Sequence, residues 1–112
     1  MNLQQKQCMF AQDVAKLIQF IFSQGYSCTL GEAYRTPEQA QIDADKGTGI
    51  VNSLHCKRLA IDLNVFDSEG KYLENTDDYR LFGEHWKSLD PVNNVWGGVF
   101  KRGDGNHFQR VD

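Results

Sequence analysis

The chain is short of nearly everything that would mark a cross-linked, membrane-bound or nucleic-acid-binding protein. Its three cysteines, Cys8, Cys28 and Cys56, cannot all pair within one chain and include no CxxC spacing. That argues against a disulfide scaffold or a four-cysteine zinc cage and suits a reducing compartment. Basic residues are outnumbered, twelve against fifteen acidic ones, giving a net charge of −3 and a pI near 5.5. A broad phosphate-binding surface is not expected, and neither is a nucleic-acid partner. Long apolar runs are missing too. The best one, Leu17–Phe22, is broken by Gln19 and falls far short of the roughly 20 residues that cross a bilayer. Met1–Gln7 carries one lysine and no apolar run of seven follows, so no signal peptide is read. Membrane insertion is not expected. Nor is an oligomer, since no heptad pattern is present; a monomer is the expectation.

What remains is an ordinary globular composition, with 40% hydrophobic, 12% aromatic and 24% charged residues over 112 positions. A chain of this length buries roughly two-thirds of its unfolded surface, enough for one modest core. One domain over residues 1–112 is expected.

Residues 5–24 read as an amphipathic helix, with Phe10, Val14, Leu17, Ile18, Ile21 and Phe22 at three- and four-residue spacing and Gly25 placed to end it. Tyr26–Glu32 reads as a short strand. Thr36-Pro37-Glu38-Gln39 is a helix start, with Thr36 as cap, Pro37 in the first turn and Gln39 able to close a capping box; the helix should run to about Asp45. Residues 46–54 form a polar, glycine-containing loop. A strand is expected at 58–65, with Leu59, Ile61, Leu63 and Val65 on one face and Ala60, Asp62 and Asn64 on the other. After a turn at Asp67–Gly70, Thr76 is expected to cap a helix that ends by Pro91. Short strands are expected at 95–100 and 106–111, joined by a turn around Arg102–Gly105. These elements make an α+β domain with helices on one side of a small, mainly antiparallel sheet.

His55, Asp62 and His107 form a donor set suited to Zn²⁺, two imidazoles and a carboxylate that leave a fourth position for water. Spacing alone does not bring His55 and His107 together. On that basis the plainer alternative is two surface histidines and a polar-face aspartate. Asp104, read alone, is a turn residue of an Asp-Gly pair. Arg35, read alone, is a surface ion-pair residue, although it is poorly placed beside a helix N-terminus. Tyr34, Trp96 and Phe108 are expected chiefly in the core or as cleft walls. His85 is expected to be structural, and Cys8 and Cys28 to be small buried hydrophobes.

Three segments taken in order add to this. Residues 53–62, SLHCKRLAID, resemble the SxHxxGxAxD signature of the M15 metallopeptidases. Glu32–Gln39 resembles that family's upstream YRT-x-x-Q segment, and Trp96-Gly97-Gly98 with Asp104–Phe108 resembles its WGG and DxxHF segments. The resemblance spans roughly residues 5–110. It implies the hedgehog/D-Ala-D-Ala peptidase-like fold and a zinc site at His55, Asp62 and His107. It implies Asp104 as general base and Arg35 as the group that steadies the scissile carbonyl, with Ser53 and Gln39 toward the substrate. The substrate implied is a peptidoglycan stem peptide. The endolysin-type L-alanyl-D-glutamate endopeptidase of phage or prophage lysis leads, made in the bacterial cytoplasm and acting at the wall after release. A D-Ala-D-Ala dipeptidase or carboxypeptidase, or a zinc-stabilised module without turnover, are the alternatives. Two positions depart from the pattern: Arg58 stands where the signature has glycine, and Gln109 where an acidic residue is frequent. Arg58 would be strained at a positive φ, and Gln109 offers a hydrogen bond without charge.

Overall fold

Asn2 sets the start of the first helix. Its side chain accepts from the Gln5 N–H at 2.8 Å, and the Gln5 side chain accepts from the Asn2 N–H at 2.9 Å. This reciprocal cap starts α1 at Leu3 and carries it to Ser23; Gly25, at φ 85°, turns the chain out of it. The computed structural model describes residues 1–47, 49 and 53–112, so Thr48 and residues 50–52 of the expected loop lie outside the described residues. Along α1, Phe10, Asp13, Leu17 and Ile21 are buried, and Val14 and Ile18 pack at the edge of that stripe. Phe22 lies one step round the helix and is 53% exposed, contrary to the expectation from spacing.

Strand β1 (Ser27–Leu30) follows, then α2 (Pro37–Asp45), β2 (Ala60–Phe66), α3 (Arg80–Leu89), β3 (Asn94–Trp96) and β4 (His107–Arg110). The strands form one sheet in the order β1-β2-β4-β3, with every neighbouring pair antiparallel. The period-two pattern of β2 holds. Ile61, Leu63 and Val65 are buried with Phe82 and Trp86 of α3, Leu17 and Ile21 of α1, and Phe108 of β4. Full burial of a leucine or phenylalanine side chain is worth about 1.5–3 kcal/mol, so this face supplies most of the cohesion. Trp86 sits edge-on to both Phe10 and Phe108. Polar ties close its margin: Asn94, fully buried, donates to Asp13 at 3.1 Å, and Arg110 donates to Asp90 at 2.8 Å. His85 stacks on Phe20 with centroids 3.7 Å apart, a structural placement as expected.

Several boundaries differ from the sequence reading. Thr76 is not a helix cap. It opens a 3-10 turn, Thr76–Tyr79, whose cap position is Asn75, and it is occupied by close packing under Gly103 and Gly105. Residues 97–99 leave the strand for a 3-10 turn, closed by the Phe100 N–H on the Gly97 carbonyl at 3.1 Å, and the same carbonyl accepts the Asp104 N–H at 3.0 Å. Leu54–Lys57 is likewise a 3-10 turn, and β2 begins only at Ala60. Gln39 forms only half a capping box: its N–H donates to Thr36, but its side-chain amide is taken by Asp43. Cys8 is exposed and Cys28 half-buried, so neither is the buried hydrophobe expected.

Candidate metal centre

The second face of β2 builds the site. Asp62 points away from the core and lies directly opposite His107 in the β2–β4 register. Antiparallel pairing therefore fixes two donors as cross-strand neighbours. His55 arrives from the Leu54–Lys57 turn, where the Ser53 hydroxyl caps the chain by accepting the His55 N–H at 3.2 Å. Arg58 then reverses the chain into β2 in the left-handed conformation (φ 55°, ψ 38°). It is the sole non-glycine residue with positive φ among the described residues. The strain expected of a non-glycine residue there is real, about 1 kcal/mol or somewhat more. Stacking of its guanidinium on Tyr34, 3.9 Å from the ring centroid, offsets part of it.

A third segment is stitched to both. The Asp62 N–H donates to the Glu32 carbonyl at 2.9 Å, and the Arg35 N–H donates to the His55 carbonyl at 3.2 Å. Asp104 enters from the turn before β4, where its carbonyl accepts the His107 N–H at 3.1 Å. Gly97 permits this turn to close, since a Cβ there would stand 2.3 Å from the Asp104 carbonyl oxygen. The indole of Trp96 ties the same turn down by donating to the Gly105 carbonyl at 2.7 Å.

One Asp62 carboxylate oxygen lies 3.5 Å from His55 Nε2 and 3.2 Å from His107 Nδ1. Donor atoms of all three residues fall within 4.8 Å of one another. Tetrahedral ligands about 2.0–2.1 Å from a zinc ion stand about 3.3 Å apart, so these donors fit one ion. His55 and His107 are buried while Asp62 is half-buried. Burial opposes the charge on Asp62, but the His107 and His55 rings outweigh it and hold its carboxyl at about 2. Burial opposes protonation of His107 as well, and hydrogen bonding to Asp62 and Gln109 with the nearby carboxylates raises it nonetheless. Asp104 Oδ2 is 4.0 Å from His107 Nδ1. Burial, with the charge of Asp62 added, lifts the Asp104 carboxyl above its usual range against the pull of the two rings.

The expected residues converge with one exception. Arg35, Ser53, His55, Asp62, Asp104 and His107 all line a cleft of ≈ 440 Å³. Gln39 is held off by Asp43, to which its amide donates at 2.7 Å, and Asp43 in turn faces Arg35 Nε at 3.8 Å. Gln109 meets the expectation of an uncharged partner, its Oε1 standing 2.7 Å from His107 Nε2. Three participants were not singled out from sequence. Phe100 walls the cleft 5.6 Å from the His107 ring. Asp43 and Glu32 flank Arg35, the latter with Oε1 2.5 Å from Nη2. A signal for Glu32 existed in its three-residue spacing from Arg35.

A family model described as D-alanyl-D-alanine carboxypeptidase, of the M15 peptidases, matches residues 46–110, more than half of the chain. The chain belongs to the M15 peptidase family. The matched segment holds all three donors and Asp104. Solved structures agree with this M15 assignment at the level of fold. The L-Ala D-Glu endopeptidase ChiX of Serratia marcescens superposes with a TM-score of 0.71 at 20% identity, over 89% of this chain and 79% of that one. The vancomycin resistance D,D-pentapeptidase VanY from a VanB-type cassette, solved in complex with Zn(II), gives 0.61 at 16% identity over 92% and 71%. The LD-carboxypeptidase LdcB gives 0.63 at 13% identity over 92% and 64%. No curated protein matches the sequence. Among the described residues no helix is long and apolar enough to cross a membrane.

Proposed function

We propose that residues 1–112 form the catalytic domain of a zinc-dependent peptidase that hydrolyses an amide bond in the peptide stem of peptidoglycan. The L-alanyl-D-glutamate bond is the first assignment. What supports this above all is the convergence of three metal donors, the Asp104 carboxylate and a guanidinium on one cleft. The similarity to the endopeptidase ChiX favours that bond over others.

His55, Asp62 and His107 would hold the ion, which supplies Lewis acidity and a lowered pKa for water. Asp104, with Oδ2 4.0 Å from His107 Nδ1, takes the proton of the attacking water and passes it to the leaving amine. Arg35, 18% exposed and always charged, stabilises the negative charge that develops on the carbonyl oxygen. The Ser53 hydroxyl accepts from His55 and keeps its own O–H for a substrate carbonyl. Gln39 serves Arg35 at one remove, through Asp43.

Purified protein incubated with cell walls should release new amino termini of glutamate, and a chelator should stop it. Free D-alanine without an internal cut would replace this assignment with the carboxypeptidase reading, which the family description and the similarity to VanY and LdcB favour. No cleavage by zinc-loaded protein would leave a binding module. In the lysis version of the proposal, expression together with a membrane pore lyses the host and expression alone does not.

A further inference from the structure

Building on that reading, we propose that Glu32 is a positioning residue: one carboxylate that sets both the His55 ring and the Arg35 guanidinium. Its backbone has no freedom to move away. The Gly31 N–H donates to the Asp62 carbonyl at 2.8 Å and the Asp62 N–H donates to the Glu32 carbonyl at 2.9 Å. A Cβ at Gly31 would stand 2.9 Å from the Asp62 carbonyl oxygen, so the segment rests directly on β2. From this platform Glu32 Oε1 reaches Arg35 Nη2 at 2.5 Å and faces His55 Nδ1 at 3.6 Å.

The His55 side chain is only 5% exposed, and its Nδ1 has no hydrogen-bond partner. A buried ring nitrogen in that state is costly, and Glu32 is the carboxylate that faces it. A proton on Nδ1, drawn toward Glu32, leaves the Nε2 lone pair aimed at the donor set beside Asp62. The other ring is fixed in the opposite sense. His107 Nε2 is taken by the neutral Gln109 Oε1 at 2.7 Å, leaving Nδ1 toward Asp62 at 3.2 Å. On the ring nitrogen turned away from Asp62, His55 therefore faces a carboxylate and His107 a neutral amide. A carboxylate facing the far nitrogen fixes the tautomer and orientation of a ligating imidazole. The same oxygen holds Arg35, so the metal side and the carbonyl side of the cleft share one anchor.

Glu32→Gln keeps size and removes charge, and its folding is checked by thermal melting against wild type. Zinc affinity is measured on metal-free protein by chelator competition, with no turnover involved. Affinity should weaken about 10- to 100-fold. At saturating zinc, kcat on wall fragments should also fall, with KM changed less than threefold, because Arg35 loses its fixed position. Arg35→Ala should lower kcat and leave zinc affinity within twofold. Glu32→Asp should recover part of both losses. Unchanged zinc affinity in Glu32→Gln, or unchanged kcat once zinc is saturating, overturns the shared role. If wild type never cleaves walls while Glu32→Gln still weakens zinc, the peptidase reading fails and the His55 half of the proposal stands.

Discussion

The two faces of strand β2 divide the labour of the molecule. Ile61, Leu63 and Val65 face a layer of buried helix side chains, where stability scales with buried area and a polar atom is kept only with a partner, as the Tyr79 hydroxyl is by the Val65 N–H. One residue away, Asp62 faces a cleft furnished with two imidazoles, where charge is retained because partners hold it. The lesson is that a single extended segment separates cohesion from chemistry by alternation alone. Substitutions on one face should leave the property of the other untouched.

Asp104→Asn tests that separation with the largest expected effect. Activity should fall about 10²- to 10⁴-fold, while zinc content and melting temperature stay near wild type, because the side chain is 53% exposed. A collapse in melting would break the comparison. Leu63→Ala is the converse. It should cost about 2–5 kcal/mol in urea unfolding, with kcat per folded, zinc-loaded molecule unchanged.

Asp90→Asn probes the margin of the core face. It strips the counter-charge from Arg110, whose side chain is 4% exposed, and should cost about 2 kcal/mol at neutral pH. The Asp90 carboxyl is held below its usual range by Asn93 and then Arg110. A depressed carboxyl contributes stability above its unfolded pKa and loses it as pH falls through the folded one. Wild type should therefore lose more stability than the variant on going from pH 5 to acid, read from denaturant midpoints at each pH.

The smallest effect is expected at Arg58. Arg58→Gly removes left-handed strain of about 1 kcal/mol but also the stacking on Tyr34, worth about 0.5–1 kcal/mol, and should come out near neutral. Arg58→Ala keeps the strain and loses the stacking, so it should be the less stable of the two in thermal melts.

Much of this is legible in the sequence. The period of two in 58–65 identified the central strand and put Asp62 on the polar face, because alternation is a local property. The donor set needed more. His55 and His107 are brought together by strand register, which a single chain does not display, so the M15 resemblance carried that step. Boundaries slipped where a distant contact overrode a local preference. Thr76 has the chemistry of a cap, yet it lies under Gly103 and Gly105. The strand expected at 95–100 stops at Trp96, where the Gly97 carbonyl is claimed by the N–H groups of Phe100 and Asp104. Glu32 carried a local signal in its spacing from Arg35, but the contact that seats it on β2, the Asp62 N–H on its carbonyl, spans thirty positions.

The cross-strand pairing of Asp62 with His107 also sets an order in time. During synthesis His55 and Asp62 emerge early, with only the β1 side of β2 available to pair. His107 and Asp104 follow more than forty residues later, and the register that aligns them needs β4 in place. The donor set is therefore complete only once the last strand has docked on β2, so its closure reports the closure of the whole sheet.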